Sequence, residues 1–211
     1  MQKALNIAAK VLSILLYPLW IPTYGMALFV WAYIVRTPLL PTNYGILCIA
    51  GTFMLTALIP MLMILLMWKM KQVSSLYIED ATQRTRPYLC SIICFVFWCF
   101  FLSSTMHLPK MWLWTSIGAT VALTIVLVVN HWWKISAHMT AMGGLLGGIC
   151  SVGLWFGTPI TPVVIVVLLL SLLLMYARIY LKAHSSLQVV CGYLLGLVCT
   201  FLPNLIAIAY A

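Results

Sequence analysis

Residues 176–188 read YARIYLKAHSSLQ, a short polar interruption between an apolar run at about 163–176 and another at about 188–210. A helix needs roughly 20 mostly apolar residues to cross a bilayer core of ~30 Å, so the interruption reads as the connection between two membrane spans. Its ionisable groups are the part of this region with chemistry. Arg178 stands six residues before His184, and Gln188 four after it.

The rest of the chain agrees with a membrane reading. Of 211 residues, 65% are hydrophobic and 6% are charged, with a mean hydropathy of +1.14. A water-soluble domain of that composition could not cover its surface with polar groups. The expected fold is therefore an all-α integral membrane protein, a bundle of six to seven transmembrane helices forming one polytopic domain over residues 1–211. The seven cysteines lie in apolar runs, show no CxxC pair and are odd in number, so they read as small packing residues. A net charge of +9 suits anionic lipid or phosphate. The basic residues are scattered over loop ends and make no continuous face for nucleic acid.

Along the chain, a first apolar segment at about 5–35 is expected to be kinked or broken at residues 17–25, YPLWIPTYG, because Pro18 and Pro22 remove backbone donors. Further spans are expected at about 44–68, 88–106, 111–129, from 139 to about 156, and over the two runs that flank 176–188. Three polar breaks punctuate them: residues 69–87, which hold both acids, Glu79 and Asp80; residues 130–138, NHWWKISAH; and 176–188. Consecutive breaks are separated by two spans each, so all three emerge on one membrane face and can meet.

That face carries Lys3, Lys10, Lys69, Lys71, Arg84, Arg86, Lys134, Arg178 and Lys182, against Arg36 and Lys110 on the other. The positive-inside rule then leans toward a cytoplasmic site. The lean shrinks once Arg84, Arg86, Lys134 and Arg178 are set aside as ligands. Lys3, Lys10, Lys69 and Lys71 read as side chains snorkelling at helix ends. Adjacent Glu79 and Asp80 with four dispersed histidines make a poor metal site, so no metal or cofactor is expected. A cationic pocket with two imidazoles suits phosphoryl transfer: guanidinium groups grip phosphate oxygens, one histidine attacks phosphorus and the other protonates the leaving oxygen.

In these residues the chain resembles the type 2 phosphatidic acid phosphatases (PAP2), whose fold also includes bacterial acid phosphatases and vanadium haloperoxidases. The family's third motif, Ser-Arg, five residues, His, three residues, Asp, is matched in spacing by Ala177, Arg178, His184 and Gln188. The second, Pro-Ser-Gly-His, stands against Ile135, Ser136, Ala137 and His138. The first, Lys, six residues, Arg-Pro, stands against Glu79, Arg86 and Pro87. The resemblance implies a PAP2-like helical core, His184 as the nucleophile and His138 as the acid. It implies Arg178 and Arg86 on the phosphoryl oxygens, and Ser136 with nearby backbone N–H groups in the oxyanion pocket.

Three departures stand out. Glu79 replaces the family's Lys, leaving Lys134 or Arg84 to supply that cation. Gln188 replaces the Asp that orients the nucleophile, so its oxygen would set the tautomer without charge, unless Glu79 or Asp80 supplies it. Ala137 replaces Gly. His107 and His131 match no motif position and read as structural.

GGLLGG at residues 143–148, with Gly192 and Gly196, sets up small-xxx-small faces that let helices approach closely. The resemblance therefore implies a metal-independent, multi-pass phosphatase of the cell inner membrane, acting on a lipid phosphate or polyprenyl diphosphate through a phosphohistidine. The alternatives are a non-catalytic protein that binds or transports a lipid phosphate on the same fold, and a lipid phosphotransferase.

Overall fold

The computed structural model describes residues 2–36, 42–76, 78, 80–105, 109–157 and 159–210, and among these there is no strand. The helices are α1 (Gln2–Leu15), α2 (Ile21–Arg36), α3 (Thr42–Thr52), α4 (Ile59–Lys69), α5 (Thr85–Thr105), α6 (Lys110–Val129), α7 (Ala137–Phe156), α8 (Thr161–Tyr180) and α9 (Ser186–Ala209). A π-helical segment, Phe53–Leu58, joins α3 to α4. Pro60 follows it at the start of α4, where its missing N–H interrupts the i→i−4 ladder. Among the described residues six spans are long and apolar enough to cross a membrane, the α3–α4 unit counting as one, Asn43–Lys69; α2 offers a shorter apolar stretch, Ile21–Val35.

The first apolar segment is not one span. It breaks over residues 16–20, and α1 is a separate helix of 14 residues, about 21 Å at 1.5 Å per residue, which is short of a ~30 Å core. Leu5, Ile7, Val11, Ile14 and Leu15 of α1 are exposed, whereas Ala9 and Ser13 are buried. Pro18 lies in the break and Pro22 in the first turn of α2, where an absent N–H costs no hydrogen bond. Tyr24 of α2 donates its hydroxyl to the Leu15 carbonyl at 3.1 Å, satisfying an acceptor at the end of α1.

The outer surface is apolar: Ile93 is 68% exposed, Phe100 65% and Leu172 61%. Lipid solvates such side chains as readily as a protein interior does, so association of the helices depends on close packing. The most extensive contact is between α7 and α9. A Cβ on Gly143 would run into the main-chain oxygen of Tyr193, and one on Gly196 into that of Thr140. Backbone therefore lies on backbone. The Thr200 hydroxyl of α9 lies 3.0 Å from the Gly144 carbonyl across this contact and 3.0 Å from Gly196 O of its own helix, so its one proton is shared between them.

Gly196→Ala is expected to destabilise the fold by about 2 kcal/mol or more, in the range of overpacking. Gly25→Ala, whose added carbon would meet Leu145 at an ordinary 3.4 Å, should be neutral or stabilise by up to about 1 kcal/mol through helix propensity. Thermal unfolding in detergent distinguishes them, and equal effects would contradict the assigned contact.

Candidate active site

The three polar breaks converge on one cavity of about 730 Å³. Arg84 comes from the first, Lys134 and His138 from the second, and Arg178, Lys182 and His184 from the third. No carboxylate lines it among the described residues.

The third break is a helix stop followed by a helix start. At the end of α8, Ala183 N–H donates to Arg178 O at 3.1 Å and Lys182 N–H to Ile179 O at 2.9 Å, the two bonds of a Schellman motif. Lys182 takes the left-handed position, φ 53°. The reversal leaves Arg178 in the last turn of α8 and sets His184 just before α9. Ser185 caps α9, its hydroxyl accepting from Gln188 N–H at 3.4 Å while the Gln188 side-chain oxygen accepts from Ser185 N–H at 3.0 Å. This is a capping box. It gives the Gln188 oxygen a partner other than the imidazole, so the orienting role expected of Gln188 is not what this geometry provides.

The orienting group is a main-chain carbonyl of the second break. His184 Nδ1–H donates to Lys134 O at 3.0 Å. A carbonyl can only accept, so in the neutral ring Nε2 is left unprotonated. Ser136 N–H donates to Gln188 O at 3.3 Å, a second tie between the two breaks. Ser136 is the N-cap of α7, but its side chain does not cap. Its Oγ is fully enclosed with no hydrogen-bond partner among the described residues, and the residue does not line the cavity. Ser136, expected in an oxyanion pocket, is thus not among the residues that line the cavity. Ala137 and His138, in the first turn of α7, do line the cavity, and that helix end carries the positive pole of the dipole.

In the first break the two arginines separate. Arg84 ends a 3₁₀ turn, Thr82–Arg84, and its Nε–H donates to Ile78 O at 2.9 Å while the residue lines the cavity. Arg86, two residues on and inside α5, is exposed and donates to Gln72 Oε1 at 3.2 Å. Helical residues two apart do not share a face, so Arg84 takes the cavity position expected of Arg86. Asp80 accepts from Thr82 N–H at 2.9 Å, which holds its carboxyl below the usual range, and it does not line the cavity. Glu79 and His107 lie outside the described residues. His131 is exposed and meets Trp132 edge-on.

The motifs do not mention α1, yet it closes the site. His138 Nε2–H donates to Ser13 O at 3.1 Å, and Arg178 Nη1 donates to Ser13 Oγ at 3.3 Å. Tyr17 stands edge-on to the His138 ring, centroids 5.5 Å apart. Lys10 lines the same cavity. The signal available in sequence was spacing alone: Lys10 and Ser13 stand three residues apart on one helix face, and Tyr17 follows in the break after α1.

Burial lowers the His184 imidazole from its ordinary 6.5 to about 4, and the neighbouring Arg178 cation adds to this, while the hydrogen bond to Lys134 O works in the other direction. The ring is thus neutral at pH 7. Among the described residues no three His, Cys, Asp or Glu side chains gather as a metal site. No protein-family model, curated protein or solved structure matches the chain.

Because the folded value lies below the unfolded one, the unfolded chain binds more protons between about pH 6.5 and 4. The contribution of His184 to stability should fall as pH drops through that window and level off below it. His184→Gln should reduce the slope in melting curves taken across it; an unchanged slope would contradict a neutral His184. Ser136→Ala should raise stability by about 1 kcal/mol by removing an unsatisfied buried hydroxyl, measured as a higher Tm.

Proposed function

We propose that this protein is a metal-independent, PAP2-type membrane phosphatase that removes the terminal phosphate of a lipid phosphate through a phosphohistidine. The observation that carries the reading is the His184 bond to Lys134 O. It leaves Nε2 as the nucleophilic nitrogen of a residue that shares a cavity with Arg84, Lys134, Arg178 and His138.

In this reading Arg178 and Arg84 hold the phosphoryl oxygens and Lys134 supplies the cation missing at Glu79. The N-terminal end of α7 adds its backbone dipole. His184 Nε2 attacks phosphorus and the bond to the lipid oxygen breaks. His138, as imidazolium, gives that oxygen its proton, so the lipid leaves as an alcohol. Water then attacks the phosphohistidine and gives its proton to His138. Inorganic phosphate is released and both imidazoles return to their starting states.

A cavity with cations and no lining carboxylate among the described residues attracts a dianionic group, and the bound dianion in turn favours the charged form of His138. The Lys134 carbonyl, unlike a carboxylate, does not neutralise a charged His184. This supports a slower phosphatase than one with Asp in the Gln188 position.

Phosphate release from a panel of lipid phosphates with EDTA present tests the reading. His184→Ala should lose at least about 10³-fold in turnover. Arg84→Ala and Arg178→Lys should each lose about 10- to 100-fold in kcat/KM, while Arg86→Ala stays within about twofold. No release from any substrate, or release that requires a divalent metal, would overturn it. The acid limb of kcat/KM should contain a component near pH 4, where free His184 takes up a proton. A limb governed by 6.5 alone would contradict the site assignment.

A further inference from the structure

The cavity does not end at the polar mouth. On α5 it is lined by Tyr88, Ser91, Phe95 and Trp98, spaced three, four and three residues apart, which is one continuous stripe of a helix. On α6 the lining runs from Val126 to Thr115. Ten or eleven residues at 1.5 Å each make a shaft of roughly 16 Å, about half of a ~30 Å hydrocarbon core. Two of its hydroxyls are turned back on their own helices: Ser91 Oγ donates to Pro87 O at 2.9 Å, and Thr120 Oγ1 to Ser116 O at 2.8 Å. With those two donors satisfied, the wall between them presents mostly carbon to its contents.

We propose that the lipid phosphate taken by this site carries a single hydrocarbon chain, which lies in the shaft while the phosphate sits between Arg84, Arg178 and His184. This rests on the lipid-phosphate reading above and narrows it. The limit is volume. An apolar cavity of ~150 Å³ holds one benzene, six carbons, so about 730 Å³ holds roughly thirty carbons, part of it already taken by the headgroup. One chain fits by volume, and about sixteen carbons already span a shaft of roughly 16 Å. Two sixteen-carbon acyl chains on glycerol, or a fifty-five-carbon polyprenyl chain, do not fit.

Nor does the back wall have slack. A Cβ on Gly118 would overlap the Cys199 main chain just as those on Gly143 and Gly196 overlap theirs, so α6, α7 and α9 are already in backbone contact. A tail moving from lipid into the shaft exchanges one apolar solvent for another and gains little free energy. Selectivity is therefore steric: chains are excluded by room, and none is strongly preferred by affinity.

The test uses the full-length protein in detergent micelles, with substrates at equal mole fraction: octyl phosphate, hexadecyl phosphate, dihexadecanoyl phosphatidate and a fifty-five-carbon polyprenyl phosphate. Hexadecyl phosphate should exceed both bulky substrates at least tenfold in kcat/KM. Ala119→Phe, which adds a ring to the shaft wall on α6, should lower the hexadecyl-to-octyl ratio at least tenfold, and Thr120→Leu should lower it in the same direction. Equal turnover of one- and two-chain substrates would overturn the single-chain proposal and leave the phosphatase reading standing. So would a hexadecyl-to-octyl ratio unmoved in both variants.

A binding arm separates the two readings. Hexadecylphosphonate, which has no ester to cleave, should raise Tm, while its two-chain analogue should not. If nothing is hydrolysed but this difference holds, the phosphatase reading falls and the shaft stands as a single-chain binding site. If neither analogue shifts Tm, the shaft proposal falls.

Discussion

The contact on which the polar end of the bundle depends is the backbone-to-backbone approach of α7 and α9. Lipid offers no hydrophobic gain for bringing two helices together, so the distance between them is set by what their side chains allow. Gly143 and Gly196 have no side chain to hold them apart. Once the axes are that close, the chain entering α7 runs beside the chain entering α9, within reach of main-chain hydrogen bonds. Ser136 N–H reaches Gln188 O, and His184 Nδ1–H reaches Lys134 O. The imidazole that the site is built on is therefore held by helix packing two turns away, and its orienting group belongs to the backbone.

The second constraint is electrostatic. Lys10, Arg84, Lys134, Arg178 and Lys182 border a cavity with no lining carboxylate among the described residues, an arrangement that repels itself until an anion arrives. Part of that field falls on His184 and, with burial, keeps the ring neutral. Neutrality is what a nucleophilic nitrogen requires, so the cations that would hold a phosphate also favour the reactive form of the ring that would attack it. Helix α1 bridges the two sides of this arrangement, because Ser13 accepts from both His138 and Arg178. Neither bond is suggested by any motif.

The sites where sequence reasoning went astray share a cause. SSLQ at 185–188 can be read as the tail of a phosphatase motif or as a capping box, and both fit the same spacing; the box prevails because four N–H groups at a helix start need acceptors. Arg86 matches a motif position, but α5 begins at Thr85, earlier than the apolar run suggests, and the helical twist carries Arg86 to the outside while Arg84 remains in the turn. Ser136 sits where the second motif places a phosphate ligand, yet its hydroxyl is fully enclosed and away from the cavity lining. In each case the spacing was right, and what differed was the direction of the side chain, set for Gln188 by its own helix start and for Arg86 by the twist of α5.

What the sequence determined by itself was the lipid-facing character, the all-helical architecture, the break before α2 and the number of crossings that brings three polar breaks to one face. These follow from composition, span length, proline chemistry and parity, none of which needs a contact between distant residues. Tertiary structure alone decided that Lys134 O orients His184, that Arg84 rather than Arg86 enters the cavity, that α1 supplies Ser13 to the site, and that a shaft continues below it. A hydrogen bond across 125 residues, such as His138 to Ser13, or the width of a cavity between helices, is fixed by how closely backbones pack; one-dimensional spacing carries no measure of that distance.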